Sequence, residues 1–157
     1  MKNNIVDILG NAEILKLYKV AFLCSRQIPS SVVLKCYDWA TEQRDKGNCV
    51  ISGFHSLIEK EVFYYLLKGK QPIIIVMARG LKDTLEQELV KPVEQGRLLI
   101  VSSFSKQVKK ITTETAQVRN QLMLDLADEV VLGYKSSGGN IDKIISNIKT
   151  KPLKYII

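Results

Sequence analysis

Small hydroxyls, glycines and cations follow the short apolar runs of this sequence, and together they could bind phosphate. Five such endings occur, at Ser25-Arg26, Ser52-Gly53-Phe54-His55, Ala78-Arg79-Gly80, Ser102-Ser103-Phe104 and Tyr134 to Gly139. Hydroxyls, backbone N–H groups freed by glycine and arginine side chains are common phosphate ligands. No ending contains Asp or Glu, which disfavours a magnesium site or a pair of acid/base carboxylates. The pattern favours an anion pocket, although Ser and Gly also serve ordinary turns.

Three further side chains could contribute to such a pocket. His55, the single histidine, precedes a predicted helix and could hydrogen-bond a phosphate or base, or could cap local backbone groups. Arg119-Asn120 lies early in a predicted helix whose other face is apolar. The pair could point back over the strand ends toward a phosphate or carboxylate, or could belong to a solvated surface.

Several chemistries are disfavoured by missing motifs. The sequence has no G-x-x-x-x-G-K-[ST] phosphate loop, no G-x-G-x-x-G after the first strand and no G-x-S-x-G elbow. One histidine rules out a multi-histidine metal centre, and three cysteines without C-x-x-C spacing argue against zinc and against a disulfide framework. We therefore expect no cofactor and no metal ion.

The elements that would position these residues alternate between strands and helices. Continuously apolar runs predict strands over 19–24, 49–51, 73–77, 98–101 and 129–133, with a sixth over 153–157. Helical spacing covers 30–46, 56–68, 81–94, 115–127 and 141–148, and Ser56 with Glu59 forms a capping-box pattern. This order predicts an α/β fold, a doubly wound, mostly parallel Rossmann-like sheet with helices on both faces. We predict a single domain over 1–157, in which residues 1–17 are a helical lead-in.

The length of the chain limits the number of domains, and its net charge limits the class of partner. The 157 residues suit one domain, and 46% apolar residues can fill its core. A net charge of +7 favours a polyanionic partner such as nucleic acid or a nucleotide, or simply a solvated lysine surface. The loop over 103–114 carries Lys106, Lys109 and Lys110. No signal peptide or membrane-spanning run is visible, so we expect a cytoplasmic protein with no membrane partner.

Five short motifs, in order over about residues 8–150, resemble the DNA-processing protein A (DprA, also called Smf) family. They are Gly10-Asn11 with Leu15, the strand ending Cys24-Ser25-Arg26, Val50-Ile51-Ser52-Gly53, Arg119-Asn120, and Ser137-Gly138-Gly139. The sequence departs from the family pattern at Cys24, which replaces a glycine, at Phe54-His55-Ser56, which replaces A-R-G, and at Gln121, which replaces the second arginine of R-N-R.

The resemblance implies a DprA-like domain that binds single-stranded DNA without established catalysis, forms a homodimer and has a recombinase partner. It places seven residues in the anion pocket: Ser25, Arg26, Ser52, Gly53, Arg119, Asn120 and Gly138. Strand-end position adds His55, Arg79 and Gly139. We expect Arg26, Arg79 and Arg119 to contact phosphates, helped by the lysines of the long loop.

An alternative function uses the same strand-end pocket. The protein could be a small-nucleotide sensor or a nucleotide-processing enzyme, for which Glu59 and Glu61 are the nearest candidates for a general base. A third possibility is a scaffold that retains the fold for self-association.

Overall fold

The computed structural model describes residues 4–136, 139–146, 148 and 150–156. Within them the strands are β1 (Asp7–Gly10), β2 (Lys19–Leu23), β3 (Cys49–Ser52), β4 (Ile73–Met77), β5 (Leu98–Ser102), β6 (Glu129–Leu132) and β7 (Leu153–Tyr155). The helices are α1 (Ser30–Lys46), α2 (Leu57–Leu67), α3 (Gln87–Glu94), α4 (Thr113–Leu126) and α5 (Asn140–Ile145), with a 3-10 turn over Ala12–Lys16.

The strands form one sheet in the order β1-β5-β4-β3-β2-β6-β7. Strands β2 to β7 are parallel to one another, and β1 alone pairs antiparallel, with β5. After β1, the chain enters the centre of the sheet at β2, moves outward through β3, β4 and β5, and then returns to place β6 on the other side of β2. The predicted doubly wound sheet is confirmed, and its topological switch point lies between β2 and β6.

Both faces of the sheet are covered, which explains why the strand sequences are continuously apolar. Phe22 and Val50 point into a core closed by α1, α2 and α3, and Phe22 stacks on Trp39 at 5.0 Å. Ala21 and Ile51 point into a second core, which α4 closes with Leu122 and Met123. A parallel strand between two cores requires apolar side chains on both of its faces.

Two predicted boundaries are wrong. Residues 7–10, expected within a helical lead-in, form the edge strand β1, whose alternating burial is typical of a half-covered strand; only 12–16 are helical. Helix α3 begins at Gln87 rather than at residue 81. Leu81 is buried and Leu85 packs against the same core, so loop residues produce the spacing that the sequence attributes to a helix.

Local hydrogen bonds fix the helix ends near the strand edges. The predicted capping box is confirmed at α2, where the Ser56 hydroxyl accepts from the Glu59 N–H. At the other end of α2, the buried Arg97 donates hydrogen bonds of 2.9 Å to the carbonyl oxygens of Leu66, Leu67 and Gln71. A cation at a helix C-terminus satisfies carbonyls that the helix leaves unpaired and opposes the negative end of its dipole.

Candidate nucleic-acid interface

A cleft of about 1180 Å³ opens at the carboxyl ends of β2, β3 and β6. The segment after β2, the loop between β3 and α2, the first half of α4, and α5 line it. These elements flank the switch point between β2 and β6, where the two crossover connections leave the sheet in opposite directions. Ligands of open α/β sheets bind at this position.

The buried carboxylate of Glu59 holds two walls of the cleft together. Its Oε2 accepts from the backbone N–H of Cys24 at 3.1 Å, at the end of β2. Its Oε1 accepts from the N–H of His55 at 2.8 Å and from that of Ser56 at 3.3 Å. Three backbone donors thus bind one side chain, and the carboxylate fixes the spacing between the β2 end and the β3–α2 loop.

Arg119 supplies a buried cation at the floor of the cleft. It lies in α4, only 7% exposed, and its Nε donates to the Asn120 Oδ1 at 2.7 Å. Neither of its Nη groups has a hydrogen-bond partner within the described part of the chain, and no acidic group there lies within ion-pairing distance. A buried guanidinium with unused donors beside an open cleft is suited to charge-assisted hydrogen bonds with an anion.

Gly53 leaves the space that the Arg119 side chain occupies. A Cβ at residue 53 would lie 2.3 Å from Nη1, 2.7 Å from Cζ and 2.9 Å from Cδ of Arg119. The guanidinium therefore lies directly against the glycine. Burial lowers the pKa of Arg119, and the charge of Glu59 opposes that shift. Because arginine titrates far above neutral pH, the group remains a cation.

Ser25 and Arg26 form the β2 side of the cleft. The Ser25 hydroxyl oxygen accepts from the Ser136 N–H at 3.0 Å, and the Ser25 N–H donates to the Tyr134 carbonyl at 2.9 Å. These bonds tie the end of β2 to the segment after β6 and leave the hydroxyl proton of Ser25 available to a ligand. Arg26 is exposed, and Gly139 lines the cleft as the residue that precedes α5.

His55 lies exposed at the mouth of the cleft. Partial desolvation lowers the pKa of His55 below its usual value of 6.5; the positive charges of Arg119, Arg26 and Lys60 add to this shift, and Glu59 opposes it. The shift favours the neutral imidazole at pH 7. An anion placed among these cations would favour the protonated imidazole.

The cleft unites Ser25, Arg26, His55, Arg119, Asn120 and Gly139. Ser52 does not reach it, because the residue is fully buried and its hydroxyl accepts from the Phe54 N–H at 3.0 Å. Gly53 lies behind Arg119. Arg79 does not line the cleft either: its Nε donates to the Gly80 carbonyl, and β4 lies two strands away from β2. Gly138 is outside the described residues.

The loop lysines are also displaced from the cleft. Lys106 lies 3.9 Å from Asp83, and none of Lys106, Lys109 and Lys110 lines the cleft. Residues outside the predicted set also line it, among them Gln27, Thr112, Gln117 and Lys143. Thr112 had a recognisable signal, because its hydroxyl accepts from the Thr115 N–H in a capping box that starts α4 before residue 115.

No helix in the described ranges combines the length and the apolar character needed to cross a membrane.

The fold is that of a Rossmann-like protein, and its cleft lies at the switch point of the sheet. The family model of the DNA recombination-mediator protein A matches residues 5–144, so the chain belongs to this family and the resemblance seen in the sequence is confirmed. No curated protein matches the sequence significantly.

Solved structures share the fold at low sequence identity. DNA processing protein A from Streptococcus pneumoniae superposes with a TM-score of 0.74 and 15% identity, over 94% of this chain and 53% of that chain. The protein of the same name from Helicobacter pylori, solved to describe its single-stranded DNA binding mode, superposes with a TM-score of 0.74 and 19% identity. The match covers 94% of this chain and 69% of that chain. The molybdenum cofactor carrier protein of Chlamydomonas reinhardtii superposes with a TM-score of 0.53 and 9% identity, over 89% of this chain and 76% of that chain. The chain spans about half the length of the pneumococcal protein.

Proposed function

We propose that this protein binds single-stranded DNA through its phosphates, in the cleft at the switch point, without catalysing a reaction. The observation that carries the proposal is Arg119, a buried guanidinium whose Nη groups lack protein acceptors among the described residues. Arg26 and Lys143 line the same cleft, and the Ser25 hydroxyl can donate beside them. Phosphate oxygens would satisfy these donors together.

Further observations support a polynucleotide as the ligand. The net charge of +7 favours a polyanion, and the open cleft of about 1180 Å³ exceeds the usual size of a pocket for a single small ligand. The chain belongs to the recombination-mediator family, and the Helicobacter pylori relative is described as binding single-stranded DNA.

The state of the acidic residues supports binding without catalysis. Glu59, the nearest candidate for a general base, accepts hydrogen bonds from three backbone N–H groups. Those bonds engage both carboxylate oxygens with the backbone and fix the side chain in place, so neither oxygen is positioned to approach a substrate proton. Glu61, the other candidate, does not line the cleft.

The test is fluorescence anisotropy of a labelled oligo-dT at about 50 and about 500 mM salt. Arg26→Ala and Arg119→Ala remove one cleft cation each, and Lys91→Ala removes an exposed lysine of α3 outside the cleft as the matched control. We expect each arginine variant to bind about tenfold more weakly or worse at low salt, and the control to bind as the wild type does.

The salt dependence separates the outcomes. Affinity should fall steeply with salt, and the slope should be smaller by about 0.7 for each phosphate that a variant no longer neutralises. Salt-independent binding, or an equally weakened affinity in all three variants, would contradict the proposal. An absence of oligonucleotide binding, together with thermal stabilisation by mononucleotides, would instead support the small-nucleotide alternative.

A further inference from the structure

A second cavity, of about 230 Å³, opens beside the cleft on the face of the sheet covered by α2 and α3. The loop after β4 closes its far side. Its walls are apolar and partly aromatic, and they include Phe54, Phe63, Ile75, Met77, Leu81 and Ile100. The cavity thus lies at the carboxyl ends of β3 and β4, whereas the cleft lies at those of β2, β3 and β6.

The β3–α2 loop is the wall between the two spaces. Gly53 lines the second cavity and also touches the Arg119 guanidinium of the cleft. Phe54 adopts φ +47°, a left-handed conformation that is uncommon for a bulky residue, and its ring lies 4.8 Å from that of Phe63. His55, the next residue, faces the cleft. This backbone turn directs the Phe54 side chain into the second cavity and the His55 side chain into the cleft. A group bound in the cavity and a group bound in the cleft would therefore be neighbours.

Polar side chains surround the mouth of the apolar cavity: Lys60, Lys82, Thr84, Glu86 and Glu88. Lys82 lies 3.4 Å from Glu86 and is paired. Lys60 makes no ion pair in the described part of the chain, and it is close enough to the cleft for its charge to lower the pKa of His55. The mouth therefore offers donors, acceptors and the Lys60 cation above an aromatic interior.

We propose that the second cavity binds a nucleobase of the same strand whose phosphate occupies the cleft. The inference rests on the proposed function. A planar heteroaromatic ring suits a space of this size bounded by phenylalanine rings, because every base has a face that stacks on aromatic side chains. The polar edge of the base would meet the rim residues, and Lys60 would lie beside the connecting phosphate.

The test compares a labelled oligo-dT with an oligonucleotide of the same length that lacks bases, so that the phosphates are identical. Tyr64→Ala removes an aromatic ring from the rim; Tyr64 is 47% exposed, and the change leaves the core intact. Tyr155→Ala is the matched control, since Tyr155 is 46% exposed on β7 and lies outside the cavity. Thr84→Trp places a large side chain at the exposed mouth and obstructs it without opening a void.

We expect the wild type to prefer oligo-dT over the abasic strand by about 5- to 150-fold, the contribution of one stacked base. Tyr64→Ala and Thr84→Trp should reduce that preference severalfold and leave binding of the abasic strand unchanged, while Tyr155→Ala behaves as the wild type. Equal binding of both strands by the wild type, or an unchanged preference in both cavity variants, would overturn the inference and leave the proposed function standing. Binding of neither strand would overturn both.

Discussion

Replacement of Gly53 by alanine tests whether Arg119 is the cation that the ligand meets. The backbone of Gly53 does not need glycine for its φ angle, so alanine changes only the space beside it. Its Cβ would lie within 3 Å of Nη1, Cζ and Cδ of Arg119. Three successive parts of the side chain cannot all yield by a few tenths of an ångström, so the guanidinium must leave its position and its bond to Asn120.

The expected magnitude follows from the hydrogen bond that a displaced guanidinium could no longer donate to the ligand. A charge-assisted hydrogen bond to phosphate contributes about 1.5–3 kcal/mol. Since about 1.4 kcal/mol is a factor of ten, Gly53→Ala should weaken binding of oligo-dT by about 10- to 150-fold. The fold itself should remain, because the displaced guanidinium regains water in the open cleft.

The assay is a double-mutant cycle by anisotropy, with circular dichroism to verify folding. Gly53→Ala is compared with Arg119→Ala and with the variant that carries both changes. If Gly53 acts through Arg119, the alanine at 53 has little further effect once Arg119 is absent. Wild-type affinity in Gly53→Ala, or an equal weakening with and without Arg119, would refute this reasoning.

Two other predictions concern the His55 ring at the mouth of the cleft and the buried Arg97, which precedes β5. Because desolvation and the neighbouring cations lower the pKa of His55, and a bound phosphate would raise it, binding should be accompanied by uptake of a proton. Affinity for oligo-dT should therefore increase as the pH falls from about 7 to about 5, and His55→Gln should abolish that dependence; parallel pH profiles would contradict it. Arg97→Met removes a donor from three carbonyls; that of Leu66 keeps the Gln71 amide as a donor, whereas those of Leu67 and Gln71 lose their side-chain partner. The free energy of unfolding should fall by about 3 kcal/mol in urea titrations, and a change below about 1 kcal/mol would contradict this prediction.

The sheet could be predicted from the sequence because the apolar pattern of each central strand agrees with the burial of that strand in the fold. Runs such as Ile73 to Val76 are buried on both faces, and the Ser56–Glu59 capping box forms as its spacing indicates. The start of α3 could not be predicted, since Leu81 and Leu85 bury side chains from a loop at the spacing of a helix. The edge strand β1 is short, and only its pairing with β5 distinguishes it from a helical lead-in.

The candidate site was harder to predict, because strand order decides which ends meet. All five strand ends look alike in the sequence, yet β4 and β5 lie two and three strands from β2, which removes Arg79 and Ser102-Ser103 from the cleft. The burial of Arg119 depends on Gly53, a residue far away in the chain. The homodimer, the recombinase partner and the cytoplasmic location stay predictions.

The most direct measurement is a crystal structure of the protein with a short oligo-dT. We expect a phosphate oxygen within hydrogen-bond distance, about 3 Å, of an Arg119 Nη group, with Ser25 and Arg26 around the same strand. A bound strand that leaves the cleft between β2 and β6 empty, or crosses it with Arg119 still buried and uncontacted, would contradict it.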